Sequence, residues 1–120
     1  MAGTEPITTV VSRRYGIAVL GVGGEVDMMT APMLQDAIDG VLAESPSGLI
    51  IDLSAVDFLG SVGLRILVAT HQRLVDSAYF AVVADSSATS RPIQLTNLDK
   101  VLALYPNVDA AVGAARLRRA

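Results

Sequence analysis

Between Ile51 and Leu67 the sequence IDLSAVDFLGSVGLRIL changes its apolar period: a strand pattern runs into Gly60-Ser61-Val62-Gly63 and leaves as a helical one. A strand that turns sharply into a helix commits the chain to a layered α/β arrangement, because the apolar side of each element needs the other to cover it. Ser61 is the only hydroxyl in the turn. A turn feeding a helix exposes unpaired backbone N–H groups, so a serine there can cap the helix, attack a substrate, bind an anion or accept a phosphate.

The patterns on either side extend the alternation. Ile7 to Ser12 reads as an edge strand, with Arg13-Arg14-Tyr15-Gly16 as a hairpin turn into a second strand over Ile17 to Val22. Thr30 offers a helix N-cap with Pro32 in the first turn, and Leu34, Ala37, Ile38, Val41 and Leu42 follow at helical spacing. Ser45-Pro46-Ser47-Gly48 ends that helix, and Leu49 to Leu53 is the short, nearly continuous apolar run of a strand in mid-sheet. After the turn from Gly60 to Gly63, Leu64, Leu67, Val68, His71, Leu74 and Val75 form a second helical stripe, and Tyr79 to Ala84 reads as the next strand. Asp85 to Ser90 reads as a polar loop. Pro92 predicts a short helix beginning near Arg91, since proline cannot donate inside one. Val101 to Tyr105 reads as a last strand stopped by Pro106, and Asn107 caps a final helix with Val108, Ala111, Val112 and Ala115 on one face. The order ββαβαβαβα predicts an α/β fold with a mixed central sheet of about five strands and helices packed on it, because right-handed crossovers join successive parallel strands.

Composition narrows what such a fold can do. A chain of 120 residues is expected to form one domain with a sizeable core. Hydrophobic residues at 52% against 18% charged exclude disorder. No apolar run approaches the roughly 20 residues that span a bilayer, and the N-terminus lacks a secretory signal pattern, so a cytoplasmic location and no membrane partner are expected. With no cysteine, disulfides, thiolate metal sites and cysteine nucleophiles are excluded. The formal net charge of −3 hides an asymmetry: Arg116, Arg118 and Arg119 crowd the end at 116–120, leaving 6 basic against 12 acidic residues in the remainder. An acidic body with few aromatics offers neither the field nor the stacking platforms of a nucleic-acid binder. The basic end reads as a solvated helix terminus, with a weak electrostatic contact as the alternative.

Ser61 lacks the company that catalysis needs. The only histidine, His71, lies about 15 Å farther along the helix at about 1.5 Å per residue, inside the apolar stripe, and reads as a packed structural residue. Leu59 stands where a nucleophile elbow needs glycine. Gly21-Val22-Gly23-Gly24 has Val26 in place of the third glycine of a dinucleotide motif, and Gly-Lys-Ser/Thr does not occur. No calcium-loop spacing is present, so no metal and no other cofactor is expected. Glu25 and Asp27, in the loop before the first helix, can pair in acid–base work, cap turns or meet a partner. What survives is an exposed Ser61 at a helix N-terminus, with Leu59 and Val62 as apolar neighbours suited to a protein contact. Ser61 is then an N-cap, contributing about 1 kcal/mol relative to Ala, or a switch. A phosphate there would bring roughly −1.5 to −2 charges, tolerated by the helix dipole and costly to desolvate inside an interface.

Four blocks, taken in order, resemble one family. Val19-Leu20-Gly21-Val22-Gly23-Gly24-Glu25-Val26-Asp27, with Thr30 after it, is similar to a family strand ending in Gly-Glu-Leu-Asp. Ile51 to Leu59 and then Ser61-Val62-Gly63-Leu64 match the signature loop, and Leu95-Thr96-Asn97-Leu98-Asp99-Lys100-Val101 matches a late Gly-Leu segment. Over nearly its whole length the chain resembles the STAS-domain anti-anti-sigma factors, bacterial antagonists of anti-sigma factors. The resemblance implies a single STAS domain over 1–120 that binds proteins and is not an enzyme. It also implies partner switching: the unphosphorylated antagonist binds an anti-sigma factor with an ATP-binding serine-kinase fold and frees its sigma factor, phosphorylation breaks the complex, and a serine phosphatase restores it. Contact through Glu25, Asp27, Leu59, Gly60, Ser61, Val62, Gly63 and Leu64 is expected, in a monomer or weak dimer. The family loop often reads Asp-Ser-Ser/Thr-Gly with the second hydroxyl phosphorylated. Here Val62 occupies that position, which leaves Ser61 as the only acceptor in the loop. The alternative is a STAS accessory subunit that binds a transport ATPase or a small ligand.

Overall fold

The computed structural model describes residues 7–119. They run as β1 (Ile7–Arg14), β2 (Ile17–Val26), α1 (Ala31–Leu42), β3 (Gly48–Leu59), α2 (Ser61–Leu74), β4 (Tyr79–Val83), α3 (Ser87–Leu95), a 3-10 turn (Leu98–Lys100), β5 (Leu104–Tyr105) and α4 (Val108–Arg119). The expected order ββαβαβαβα is the observed one. The five strands lie side by side as β1-β2-β3-β4-β5, with β1 antiparallel to β2 and the other neighbours parallel. Arg13 and Arg14 belong to the β1–β2 ladder, so the hairpin turn shrinks to Tyr15 and Gly16, both at positive φ (55° and 79°). That geometry suits the twist of a two-residue hairpin.

Alternation along the strands sends side chains to two cores. Ala18, Leu20 and Val22 of β2, Leu49, Ile51 and Leu53 of β3, and Phe80 and Val82 of β4 pack under α1, α2 and α3, whose Leu34, Ile38, Leu67 and Ile93 are fully or nearly fully buried. Ile17, Val19, Ile50, Tyr79, Ala81 and Val83 face the other way and are covered by Ala111, Val112 and Ala115 of α4. Asn107 caps α4 as its sequence suggests, its Oδ1 accepting from the Ala110 N–H at 2.8 Å.

Three expectations are corrected. β3 does not stop near Leu53 but continues to Leu59, because two register irregularities opposite β2 let Ser54 to Phe58 depart from strict alternation while still pairing. α3 begins at Ser87 and carries Pro92 inside it. A proline forfeits its own N–H bond and crowds only the turn before it. Here that turn is held by the Ser90 N–H on the Ser86 carbonyl at 2.9 Å and by buried Thr89 and Ile93. Val101 to Tyr105 yields only the two-residue β5, preceded by the 3-10 turn. At the basic end Arg116 and Arg118 are exposed and also make the weak contact that was the alternative: the Arg116 guanidinium lies 4.1 Å from the Tyr15 ring centroid and Arg118 lies 5.4 Å from that of Tyr79. Ala120 and Met1 to Pro6, including Glu5, fall outside the described residues. Among the described residues no helix is long and apolar enough to cross a membrane.

Candidate functional site

Parallel strands β2 and β3 end together, and the chain leaves each of them into a helix. The Gly60 N–H donates to the Val26 carbonyl at 2.9 Å, which ties the exit of β3 to the end of β2. Gly60, at φ −82° and ψ 175°, is the N-cap residue of α2, and the Gly63 and Leu64 N–H groups both reach its carbonyl, at 3.0 and 3.2 Å. Ser61 is therefore the first residue inside the helix and not its cap, which corrects the capping alternative. Its hydroxyl is exposed and takes part in no side-chain hydrogen bond among the described residues. The sharp turn also depends on Gly63, where a Cβ would lie 2.7 Å from both Leu59 Cδ1 and Val26 Cγ1. Any side chain at Gly63 would push α2 off the end of β2.

The β2–α1 turn is built around Asp27 and Thr30. Asp27 Oδ1 accepts from the Met29 and Thr30 N–H groups at 2.9 and 3.1 Å, while the Thr30 hydroxyl donates to the Glu25 carbonyl at 2.8 Å and accepts from the Asp27 N–H at 3.0 Å. Thr30 holds the N-cap position of α1, yet its hydroxyl serves this turn and leaves the helix N–H groups alone. Of the roles open to Asp27, building the turn is the one its hydrogen bonds realise. The Glu25 side chain is exposed and stands in register beside Phe58.

The residues named from sequence divide by burial. Glu25 and Ser61 are exposed, Asp27, Gly60 and Val62 are half-buried, and Leu59, Gly63 and Leu64 are buried, with Leu59 only 4% exposed. Leu59, Gly63 and Leu64 thus shape the loop from beneath, and Val62 packs partly against the core. Apolar surface comes instead from side chains that sequence reasoning did not assign to the site: Phe58 is 51% exposed, Met28 82%, Met29 85% and Met33 42%. The outward Phe58 and the inward Leu59 are consecutive residues of β3, and the irregularities in its pairing with β2 decide which is which. Met28-Met29 was legible as an apolar pair inside a polar connection, and that was the available signal. His71 lies half-buried on α2, well along the helix from Ser61. No cluster of His, Asp or Glu able to hold a metal occurs among the described residues. The site can therefore offer a hydroxyl at the open start of a helix, two acidic side chains and a rim of large apolar ones, which is the chemistry of a protein contact.

Known proteins share both the sequence and the shape. The anti-sigma-F factor antagonist RsfB of Mycobacterium tuberculosis is 47% identical over 116 residues, spanning 97% of this chain and 95% of that protein. The crystal structure of an anti-sigma factor antagonist from Mycobacterium paratuberculosis superposes with a TM-score of 0.88 at 55% identity, covering 92% of this chain and 94% of the other. The anti-sigma factor antagonist SpoIIAA in its unphosphorylated form shares the fold alone, with a TM-score of 0.74 at 13% identity over 91% of this chain and 96% of its own. The STAS domain model matches residues 8–111, a stretch that runs from β1 into α4 and takes in every residue of the site, and the chain belongs to the STAS domain family.

Proposed function

We propose that this protein is an anti-sigma factor antagonist: a regulatory, non-catalytic cytoplasmic protein that binds an anti-sigma factor and so releases the sigma factor held by it. The observation that carries this reading is the free Ser61 hydroxyl on the first residue of α2, at the same end of the sheet as exposed Phe58, Met28 and Met29. The kinship with RsfB, an anti-sigma-F factor antagonist by name, supports an anti-sigma-F factor as the partner. Residues 1–120 act as a single STAS domain, as a monomer or weak dimer, against a partner with an ATP-binding serine-kinase fold. Glu25, Asp27, Gly60, Ser61 and Val62 contact that partner together with Phe58, Met28 and Met29, while Leu59, Gly63 and Leu64 hold the loop in shape.

Regulation follows from the same geometry. A phosphate on Ser61 would sit at the open first turn of α2, where unpaired N–H groups stabilise an anion, so the fold tolerates it. Inside an interface the same group would have to shed its water, which costs affinity. The partner kinase installs the phosphate and a serine phosphatase removes it. Intact mass after incubation with the anti-sigma factor and ATP should show one added phosphate, absent from Ser61→Ala. Ser61→Glu should weaken binding by about 100-fold or more while leaving the thermal transition nearly unchanged. A chain left unmodified by a demonstrably active kinase removes the Ser61 switch. Failure of the unmodified chain to bind any ATP-binding anti-sigma factor removes the antagonist reading itself.

A further inference from the structure

Three methionines fall among the described residues, and all three lie at one place. Met28 and Met29 occupy the β2–α1 turn and Met33 the first turns of α1, 82%, 85% and 42% exposed. The sequence holds one other methionine, Met1, and no cysteine, so apart from Met1 all of its sulfur stands at the Ser61 end of the sheet. Nor do these side chains hang from a slack loop. The Met29 N–H is fixed on Asp27 Oδ1 at 2.9 Å, and the Ala31 N–H on the Asp27 carbonyl at 2.9 Å closes the turn that contains both residues.

We propose that Met28 and Met29 form an oxidant-responsive modification site that turns docking off. The co-reactant is a hydroperoxide. Its O–O bond breaks as an S–O bond forms at the thioether, so the sulfur is oxidised to a sulfoxide while hydrogen peroxide is reduced to water. Each event replaces an apolar, adaptable group with a strongly polar one. Neither side chain belongs to the buried core, so the fold keeps its packing, whereas an apolar contact made through them acquires a dipole that must be desolvated without a partner. The inference rests on the docking role proposed for this surface and adds to it a second input, independent of Ser61.

The test oxidises the full chain alone with dilute hydrogen peroxide, removes the peroxide with catalase, and then titrates an anti-sigma-F factor that never met the oxidant. Peptide mapping should find the added oxygen, about 16 Da per site, at Met28 and Met29. Binding should fall by about 10-fold or more and return after treatment with methionine sulfoxide reductases of both epimer specificities. The double variant Met28→Leu, Met29→Leu should show the same affinity before and after peroxide, whatever that affinity is, because leucine has no sulfur to oxidise. Oxidised protein that binds as tightly as reduced protein overturns the inference and leaves the docking reading intact. A double leucine variant that loses affinity to peroxide like the parent also overturns it, since the effect then arises elsewhere. Reduced protein that does not bind at all overturns the docking reading and this inference together.

Discussion

Phe58 and Tyr79 are two aromatic residues at opposite ends of neighbouring strands, and they do opposite work. Tyr79 opens β4, is 8% exposed, donates its hydroxyl to the Ala111 carbonyl of α4 at 3.1 Å and carries Arg118 over its ring. Phe58 stands near the far end of β3, 51% exposed, with its ring edge close to Gly60. The end around Tyr79 is tied down further by Arg14 to Asp109 at 2.8 Å, by Arg13 to Glu44, and by Arg116 over Tyr15. The Phe58 end leaves Phe58, Met28 and Met29 largely in water. A buried aromatic with its polar atom satisfied serves stability, whereas an exposed one on a fixed backbone is free to serve a contact.

The largest effect expected from this contrast is at Tyr79. Tyr79→Ala should cost about 3–5 kcal/mol of folding stability, as truncation of a buried aromatic does, measured by urea denaturation. Phe58→Ala should cost less than about 1 kcal/mol of stability, because half the ring is already in water, yet should weaken anti-sigma factor binding by about 10- to 100-fold in a titration. Comparable losses of stability at both positions would erase the distinction between an anchoring end and a docking end. Unchanged binding in Phe58→Ala would confine the contact to the methionine side of the rim.

The same contrast explains what the sequence disclosed. The order of elements was legible because each helix carries an apolar stripe at helical spacing and each strand a short apolar run. The cap at Asn107 and the central place of Leu49 to Leu53 followed from local chemistry. The site was legible as a place, the junction at Gly60 and Ser61, but not as a surface. Whether Phe58 or Leu59 faces outward depends on irregularities in the pairing of β3 with β2, a tertiary property that no period reports. Pro92 misled for a related reason: a buried Thr89 and Ile93 on the core overrode a local preference. The aromatic partners of Arg116 and Arg118 come from β2's hairpin and from β4, far away in sequence, so composition alone read those arginines as solvated.

A smaller effect isolates the hydroxyl of Tyr79 from its ring. Burial first, and then the neighbouring Tyr105, push the Tyr79 phenol well above its ordinary value. Tyr79→Phe should cost about 1 kcal/mol at neutral pH for the lost hydrogen bond to Ala111. A group whose folded value is raised lends its stability below the unfolded value, about pH 10 for tyrosine, and loses it as pH climbs beyond. The parent should therefore lose stability above about pH 10 faster than Tyr79→Phe, so that the gap between them closes in denaturation curves taken up the alkaline range. Parallel losses in both proteins would mean that the phenol is not sequestered.

The smallest effect concerns the bridge between the two helices whose first turns flank the site. Arg73 of α2 donates to Asp39 of α1 at 2.8 Å, and Gln35 donates to the same oxygen at 3.0 Å. The Arg73 hydrogen bond, and after it that of Gln35, holds the Asp39 carboxyl below its ordinary value. A group whose folded value is depressed lends stability above the unfolded value, about 3.9 for aspartate, and gives it up as pH falls through the folded one. Asp39→Asn should thus lower the melting temperature slightly at neutral pH, and the difference should shrink on acidification below about pH 4 and in high salt, since both side chains are half in water. Binding should not change, because α1 and α2 are already positioned by Leu34, Ile38 and Leu67 in the core beneath them. A variant that melts normally but binds poorly would show that this exposed pair sets the spacing between the Met28 turn and Ser61, and the docking end would then depend on surface charge as well as on the packing below it.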